Sequence, residues 1–314
     1  MPQAGPRLRV DAAAEMEARP RGTVRQQDPR QAGAAHGEDP VKLSCVPATY
    51  FMDIVEGRMT IEQWIDFAAT LGLDGLDFGQ AWFRDRRPGT VAALRRRVAE
   101  RGLEACLLRC APDFTHPDTA ARRATIEEMR RMIELAHALG TPLVRVTAGQ
   151  AHPSVPRADG VRRVVDGLVA LFPDAARAGV TLAYENHTKA SVWQYRDFSE
   201  DSAVFLEIVR ATEGTALGVN FDTGNPLVHE EDPLPLLREV AHRVVCVDAN
   251  DSLTRGRFEF CVVGRGLVPF GDVFAFLKRE VGYDGWISVE EYSRTGEQGF
   301  REAVRFVREA WAAA

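Results

Sequence analysis

Disulfide spacing, a basic excess, a membrane-length apolar run and a glycine-rich nucleotide loop are all missing from this 314-residue chain. The five cysteines (Cys45, Cys106, Cys110, Cys246 and Cys261) are odd in number and form no C-x-x-C pair. They read as reduced, buried thiols of a cytoplasmic protein rather than as a disulfide framework. With 39 basic against 45 acidic side chains the net charge is −6, the wrong sign for a nucleic-acid partner. No stretch approaches the roughly 20 apolar residues of a membrane span, so no membrane partner is expected.

Residues 1–40 are poorer still. They hold no aromatic residue, no Ile and a single Leu (Leu8), and six Arg balance six acids. There is no apolar h-region for a signal peptide and too little to bury to offset the entropy of ordering. The expectation is a disordered N-terminal extension over 1–40 and one folded domain over 41–314.

What the rest of the chain does have is one repeated grammar: a short β-type run, a turn, then an amphipathic helix. Strands are expected at Leu43–Pro47, Gly75–Phe78, Glu104–Leu108, Leu143–Thr147, Thr181–Glu185, Leu217–Asp222, Val244–Asp248 and Ile287–Glu290. Helical stretches between them include Ile61–Leu71, Val91–Arg101, Ala120–Leu139 and Val161–Arg177, and Gly140 and Gly179 stand where left-handed C-caps belong. Alternation without hairpin signals implies parallel strands. Eight such units match an α/β (β/α)₈ TIM barrel of ~250 residues. A doubly wound open sheet fits less well, because the loop after the first strand reads Ala48-Thr49-Tyr50-Phe51 and carries no glycine.

In such a barrel the chemistry sits at the C-terminal ends of the strands. Four strands end in an acid: Glu185 (L-A-Y-E-N-H), Asp222 (V-N-F-D-T-G-N), Asp248 (V-C-V-D-A-N-D) and Glu290 (I-S-V-E-E-Y). Two residues before each stands a small or polar side chain (Ala183, Asn220, Cys246, Ser288), and immediately before it a bulky one (Tyr184, Phe221, Val247, Val289). A side-chain period of two then turns all four acids toward the barrel axis, and favours Glu290 over Glu291. A lone strand-end acid also serves as a helix N-cap or ion-pair partner. Four converging carboxylates cannot all stay ionised without compensation, and a divalent cation supplies it; oxygen donors suit Mn²⁺ or Mg²⁺.

These motifs, with D-F-T-H-P-D at Asp113–Asp118, the G-x-G turn at Gly264–Gly266 and G-Y-D-G-W-I-S-V-E at Gly282–Glu290, resemble the xylose isomerase-like barrel superfamily of sugar (phosphate) isomerases and epimerases. The resemblance implies metal ligation by Glu185, Asp222 and Glu290. The family's usual seventh-strand His is replaced by Asp248, its H-x-K-D reading Asp248-Ala249-Asn250-Asp251 here, and its D-x-x-H reads Asp222-Thr223-Gly224-Asn225. The loss of nitrogen donors makes Zn²⁺ the less fitting metal.

The expected activity is a divalent-metal-dependent isomerase or epimerase of a small-molecule carbohydrate. It would abstract a proton next to a carbonyl through a metal-stabilised enediolate, with Glu185 and Glu290 as the catalytic pair the resemblance implies. His187, Asn225, Arg145 and Arg257 are the candidate substrate contacts. Arg145, like Asp77, has inward parity and an ion-pair role as its plainer alternative. A metal-dependent dehydratase or lyase on a keto-sugar or inosose needs the same metal and base plus an acid, which His187 could supply. A non-catalytic sugar-binding protein is the third reading. Trp311 and the apolar last helix leave room for a homo-oligomer.

Overall fold

The computed structural model describes residues 41–190 and 193–314; the extension expected over 1–40 lies outside them. Eight strands follow in chain order: β1 Lys42–Val46, β2 Gly75–Gly79, β3 Glu104–Arg109, β4 Leu143–Val146, β5 Thr181–Glu185, β6 Gly218–Asp222, β7 Val244–Ala249 and β8 Trp286–Glu290. Seven parallel ladders join them in the order β1-β8-β7-β6-β5-β4-β3-β2. At the β1/β2 seam Asp74 takes the place of a ladder. Its N–H donates to Leu43 O at 2.9 Å, and its Oδ2 accepts from Leu43 N at 2.9 Å. This is the expected (β/α)₈ architecture, a nearly closed parallel barrel ringed by helices.

Local chemistry explains the elements. Thr60 and Gln63 form a reciprocal capping box before the helix Ile61–Ala68, and Asp118, Asp201 and Asp232 cap three later helices through their carboxylates. Gly140 and Gly179 close their helices at φ 81° and 67°, where a Cβ would be strained. The single helix expected over Val161–Arg177 is two, Arg157–Val169 and Phe172–Ala178. Pro173 has no N–H to continue the first ladder but fits the first turn of the second helix.

The main core lies between strands and helices, where Trp64, Phe78, Phe205, Phe221, Phe274 and Phe300 are fully buried. The bulky residues that precede the four acids (Tyr184, Phe221, Val247, Val289) belong to this layer. The barrel axis holds a separate, smaller cluster of Cys106, Leu107, Leu143, Cys246 and Trp286. Trp286 fits because β2 opens with glycine: a Cβ on Gly75 would stand 2.9 Å from its ring. All five cysteines are buried and unpaired. Among the described residues no helix is long and apolar enough to cross a membrane.

Candidate metal centre

Parallel register brings the acids together. Asp222 pairs with Asp248 across β6/β7, Asp248 with Ser288 across β7/β8, and Glu185 with Asn220 across β5/β6. Glu185, Asp222 and Asp248 are buried and each offers an oxygen within 4.8 Å of the others. Glu290, at the end of β8, stands at the same end of the barrel and is the most exposed of the four.

Each carboxylate is held differently. Asp222 Oδ1 accepts from Gly224 N (2.7 Å) and Asn225 N (2.6 Å), and Oδ2 from Asn250 Nδ2 (3.2 Å). Asp248 is gripped by Arg109, with Nη2 2.6 Å from Oδ1 and Nη1 2.8 Å from Oδ2, and accepts from Asn220 Nδ2 at 2.6 Å. Glu185 Oε2 lies 2.5 Å from Arg145 Nε, but the pair is misaligned and neither atom completes a hydrogen bond. Glu290 Oε2 is 3.3 Å from Arg109 Nη1.

Arg109 is the group that sequence reasoning missed. It also donates to Asp77 Oδ2 at 2.9 and 3.1 Å and to Ser288 Oγ at 3.1 Å. Asp77 is buried in the ion pair that its parity allowed for, and Arg145 likewise pairs with an acid. A bulge hides Arg109 from sequence reading: β3 spends one residue more than β2 between Leu76↔Ala105 and Phe78↔Leu108. Cys106 and Leu107 consequently both reach the axial cluster, and alternation cannot be counted through them.

Five carboxylates (Asp77, Glu185, Asp222, Asp248, Glu290) thus face two guanidiniums (Arg109, Arg145). The imbalance appears in their titration. Burial, then repulsion from Glu290, Glu185 and Asp248, holds Asp222 well above the usual carboxylate range. Burial, outweighing the attraction of Arg109, pushes Glu290 up to about 7. Burial also opposes the charge on Arg109, yet Asp248 and Asp77 overcome it and raise its pKa. Surplus buried negative charge, an unsatisfied Glu185 Oε2 and hard oxygen donors together fit a divalent cation.

The four candidate substrate contacts separate. His187 is buried two residues beyond Glu185, its Nδ1 3.2 Å from Asp197 Oδ2 and its ring edge-on to Trp193 at 5.7 Å. Asp197 is itself fixed through Ser199 N and Oγ, both at 2.8 Å, and Ser199 by the Tyr184 hydroxyl at 2.5 Å. Asn225 reaches toward Glu185 Oε1 at 3.4 Å and donates to Asn186 O at 3.0 Å. Arg145 joins the acid cluster. Arg257 does not: it is exposed and pairs with Glu259 at 2.6 Å. Glu291 turns away from the cluster, accepting from Thr49 Oγ1 at 2.6 Å.

Two further motifs are frame rather than site. In D-F-T-H-P-D, Asp113 accepts from His152 Nε2 (2.8 Å), Gln150 N (3.0 Å) and Thr115 Oγ1 (2.9 Å), stapling the loops after β3 and β4. In the G-x-G turn, Gly264 N and Gly266 N donate to Asp251 at 2.9 and 2.8 Å, closing the loop that follows β7.

Known proteins share this fold. The family model described as Xylose isomerase-like TIM barrel matches residues 65–310. An inosose dehydratase of Bacillus thuringiensis (strain Al Hakam) is 23% identical over 287 residues, covering 81% of this chain and 90% of its own. A D-psicose 3-epimerase from Clostridium cellulolyticum H10, solved with D-tagatose, superposes with a TM-score of 0.72 at 14% identity, covering 86% and 99% of the two chains. An IOLI protein solved with a bound zinc atom gives 0.71 at 17% identity, covering 86% and 98%.

Proposed function

The chain belongs to the xylose isomerase-like TIM barrel family, and from that premise we propose that it is a divalent-metal-dependent enzyme that removes a proton beside the carbonyl of a keto-sugar or keto-polyol. The observation that carries this reading is the buried Glu185/Asp222/Asp248 cluster with its uncompensated negative charge. These three residues and Glu290 would hold the cation. The all-oxygen donor set favours Mn²⁺ or Mg²⁺ over Zn²⁺, although a relative of the same fold was solved with zinc. When bound, the cation supplies Lewis-acid polarisation of the carbonyl and its neighbouring hydroxyl.

The protein's own groups do the proton work. Glu185 and Glu290 come from β5 and β8, at the ends of separate strands. One removes the α-proton and the other returns it at the adjacent carbon or the opposite face, which makes the product an isomer or epimer. Arg145 balances Glu185 and Asn225 offers an amide to the same carboxylate. His187 contacts a substrate oxygen.

His187 also supports a second outcome. Its Nδ1 is engaged by buried Asp197, which sets the ring's orientation and leaves the other ring nitrogen to face the substrate. An imidazolium so held can protonate a β-hydroxyl as it leaves, and the product is then a dehydrated enone or diketone. The inosose dehydratase relative fits this branch. One experiment tests both: Mn²⁺-loaded enzyme is incubated in D₂O with ketohexoses and inososes while deuterium at the α-carbon and ultraviolet absorbance are followed. Deuterium without absorbance supports isomerisation or epimerisation, and absorbance supports elimination. Neither signal with any substrate, at full metal loading, rejects the reading.

A further inference from the structure

Arg109 is the group at the mouth that this chemistry leaves unused, and its surroundings are those of an ion. Its guanidinium is buried and meets carboxylates from three other strands: Asp77 of β2, Asp248 of β7 and Glu290 of β8, with nitrogen–oxygen distances of 2.6 to 3.3 Å. Ser288 adds a hydroxyl that both accepts from Arg109 at 3.1 Å and donates to Asp77 Oδ2 at 2.7 Å. Asp77 Oδ1 and Asn220 Oδ1 are buried beside this group with no partner. Asp77 has inward parity but is no part of the Glu185/Asp222/Asp248 cluster. The mouth therefore has two acidic centres that share Asp248 and Glu290. One is organised by Arg109, and the other, around Glu185 and Asp222, has only the misaligned Arg145.

We propose that Arg109 is a resident second cation: it fills a carboxylate-lined seat formed by Asp77 with one side of Asp248 and Glu290, and so limits the mouth to a single divalent ion, which Asp248 and Glu290 share with Glu185 and Asp222. The physical argument is charge balance. Without the guanidinium, two buried carboxylates, Asp77 and Asp248, and the partly exposed Glu290 stand together with no counter-ion, a state that must either take up protons or bind a cation. A divalent ion needs oxygens at about 2.0–2.2 Å, closer than the 2.6 to 3.3 Å at which they now stand from the guanidinium, so truncating Arg109 must let the carboxylates draw in around the ion. For its first seat alone, the inference rests on the metal reading above.

The test counts Mn²⁺ bound per chain, by equilibrium dialysis with metal analysis and by electron paramagnetic resonance, for wild type, Arg109→Ala and Arg109→Lys. Arg109→Ala is expected to bind one equivalent more than wild type, while Arg109→Lys, which keeps a positive charge, stays at the wild-type count. Equal counts in Arg109→Ala and wild type overturn the proposal whatever the wild-type number. A wild type that binds none beside an Arg109→Ala variant that binds one would uphold it and reject the metal reading; one ion in each does the reverse. If Arg109→Ala is unfolded in chelator, it is refolded with Mn²⁺ and counted: one equivalent more than wild type counts in favour, and a wild-type count or failure to refold counts against.

Discussion

Without metal, the acid cluster should make this protein less stable as the pH rises, and Glu290 sets the size of the effect. Its carboxyl titrates near 7 in the folded chain against an ordinary 4.5. Between those values the folded state holds a proton that the unfolded state has already lost, so stability is fully present below about pH 4.5 and is lost as the pH climbs through 7. At ~1.4 kcal/mol for each pH unit of that gap, Glu290 alone accounts for about 3 kcal/mol. For a domain of this size that is of order 5–10 °C in Tm. Asp222, raised for the same reasons, adds in the same direction. The assay is thermal unfolding followed by circular dichroism in chelator from pH 5 to pH 8, for wild type and Glu290→Gln. The wild-type Tm should fall across that range and the variant's should fall less. Added Mn²⁺ should raise Tm more at pH 8 than at pH 5, because binding draws on the ionised carboxylates. A chelated wild type whose Tm is flat or rising over this interval, or a Glu290→Gln variant with the same slope, would refute the reasoning.

Three other outcomes are expected. Phe300 is fully buried against Tyr50, Trp64 and Phe67, so Phe300→Ala should cost about 3–5 kcal/mol in urea unfolding; a loss under 1 kcal/mol would mean that this packing is wrong. Asp251 accepts backbone N–H groups from Ser252, Gly264, Gly266 and Val268, so Asp251→Ala should loosen the loop and speed tryptic cleavage at Arg255 and Arg257, and unchanged cleavage would contradict its anchoring role. Asp197→Asn should slow turnover about 10–100-fold with little change in KM; an unaltered kcat would show that His187 needs no fixed orientation.

The barrel was readable because its signals are local. Strand ends, helix caps and the Gly140 and Gly179 turns each depend on a few neighbouring residues. The inward set at Asp222, Asp248 and Glu290 follows from a two-residue period through bulky Phe221, Val247 and Val289. Where that period fails, the reading fails too. The β3 bulge puts Cys106 and Leu107 on the same side, and Arg109 two positions later falls outside any simple count. Asp197 was invisible for a different reason: it meets His187 from ten positions away in sequence, a spacing that no helix or strand period relates. Arg257 stands apart from the acid cluster, exposed and paired with Glu259, because a position on an active-face loop says nothing of the direction of a long side chain. The break within Val161–Arg177 was missed although Pro173 marks it, because the apolar pattern runs on through both helices and masks the interruption.

The central claim is that strand-end carboxylates at the mouth of the barrel hold one divalent ion. Anomalous diffraction from crystals grown with Mn²⁺ addresses it most directly. The account predicts a single peak at the mouth in bonding contact with Glu185 and Asp222, absent in Asp222→Asn. No peak at saturating Mn²⁺, or one only on exposed surface acids, would contradict it.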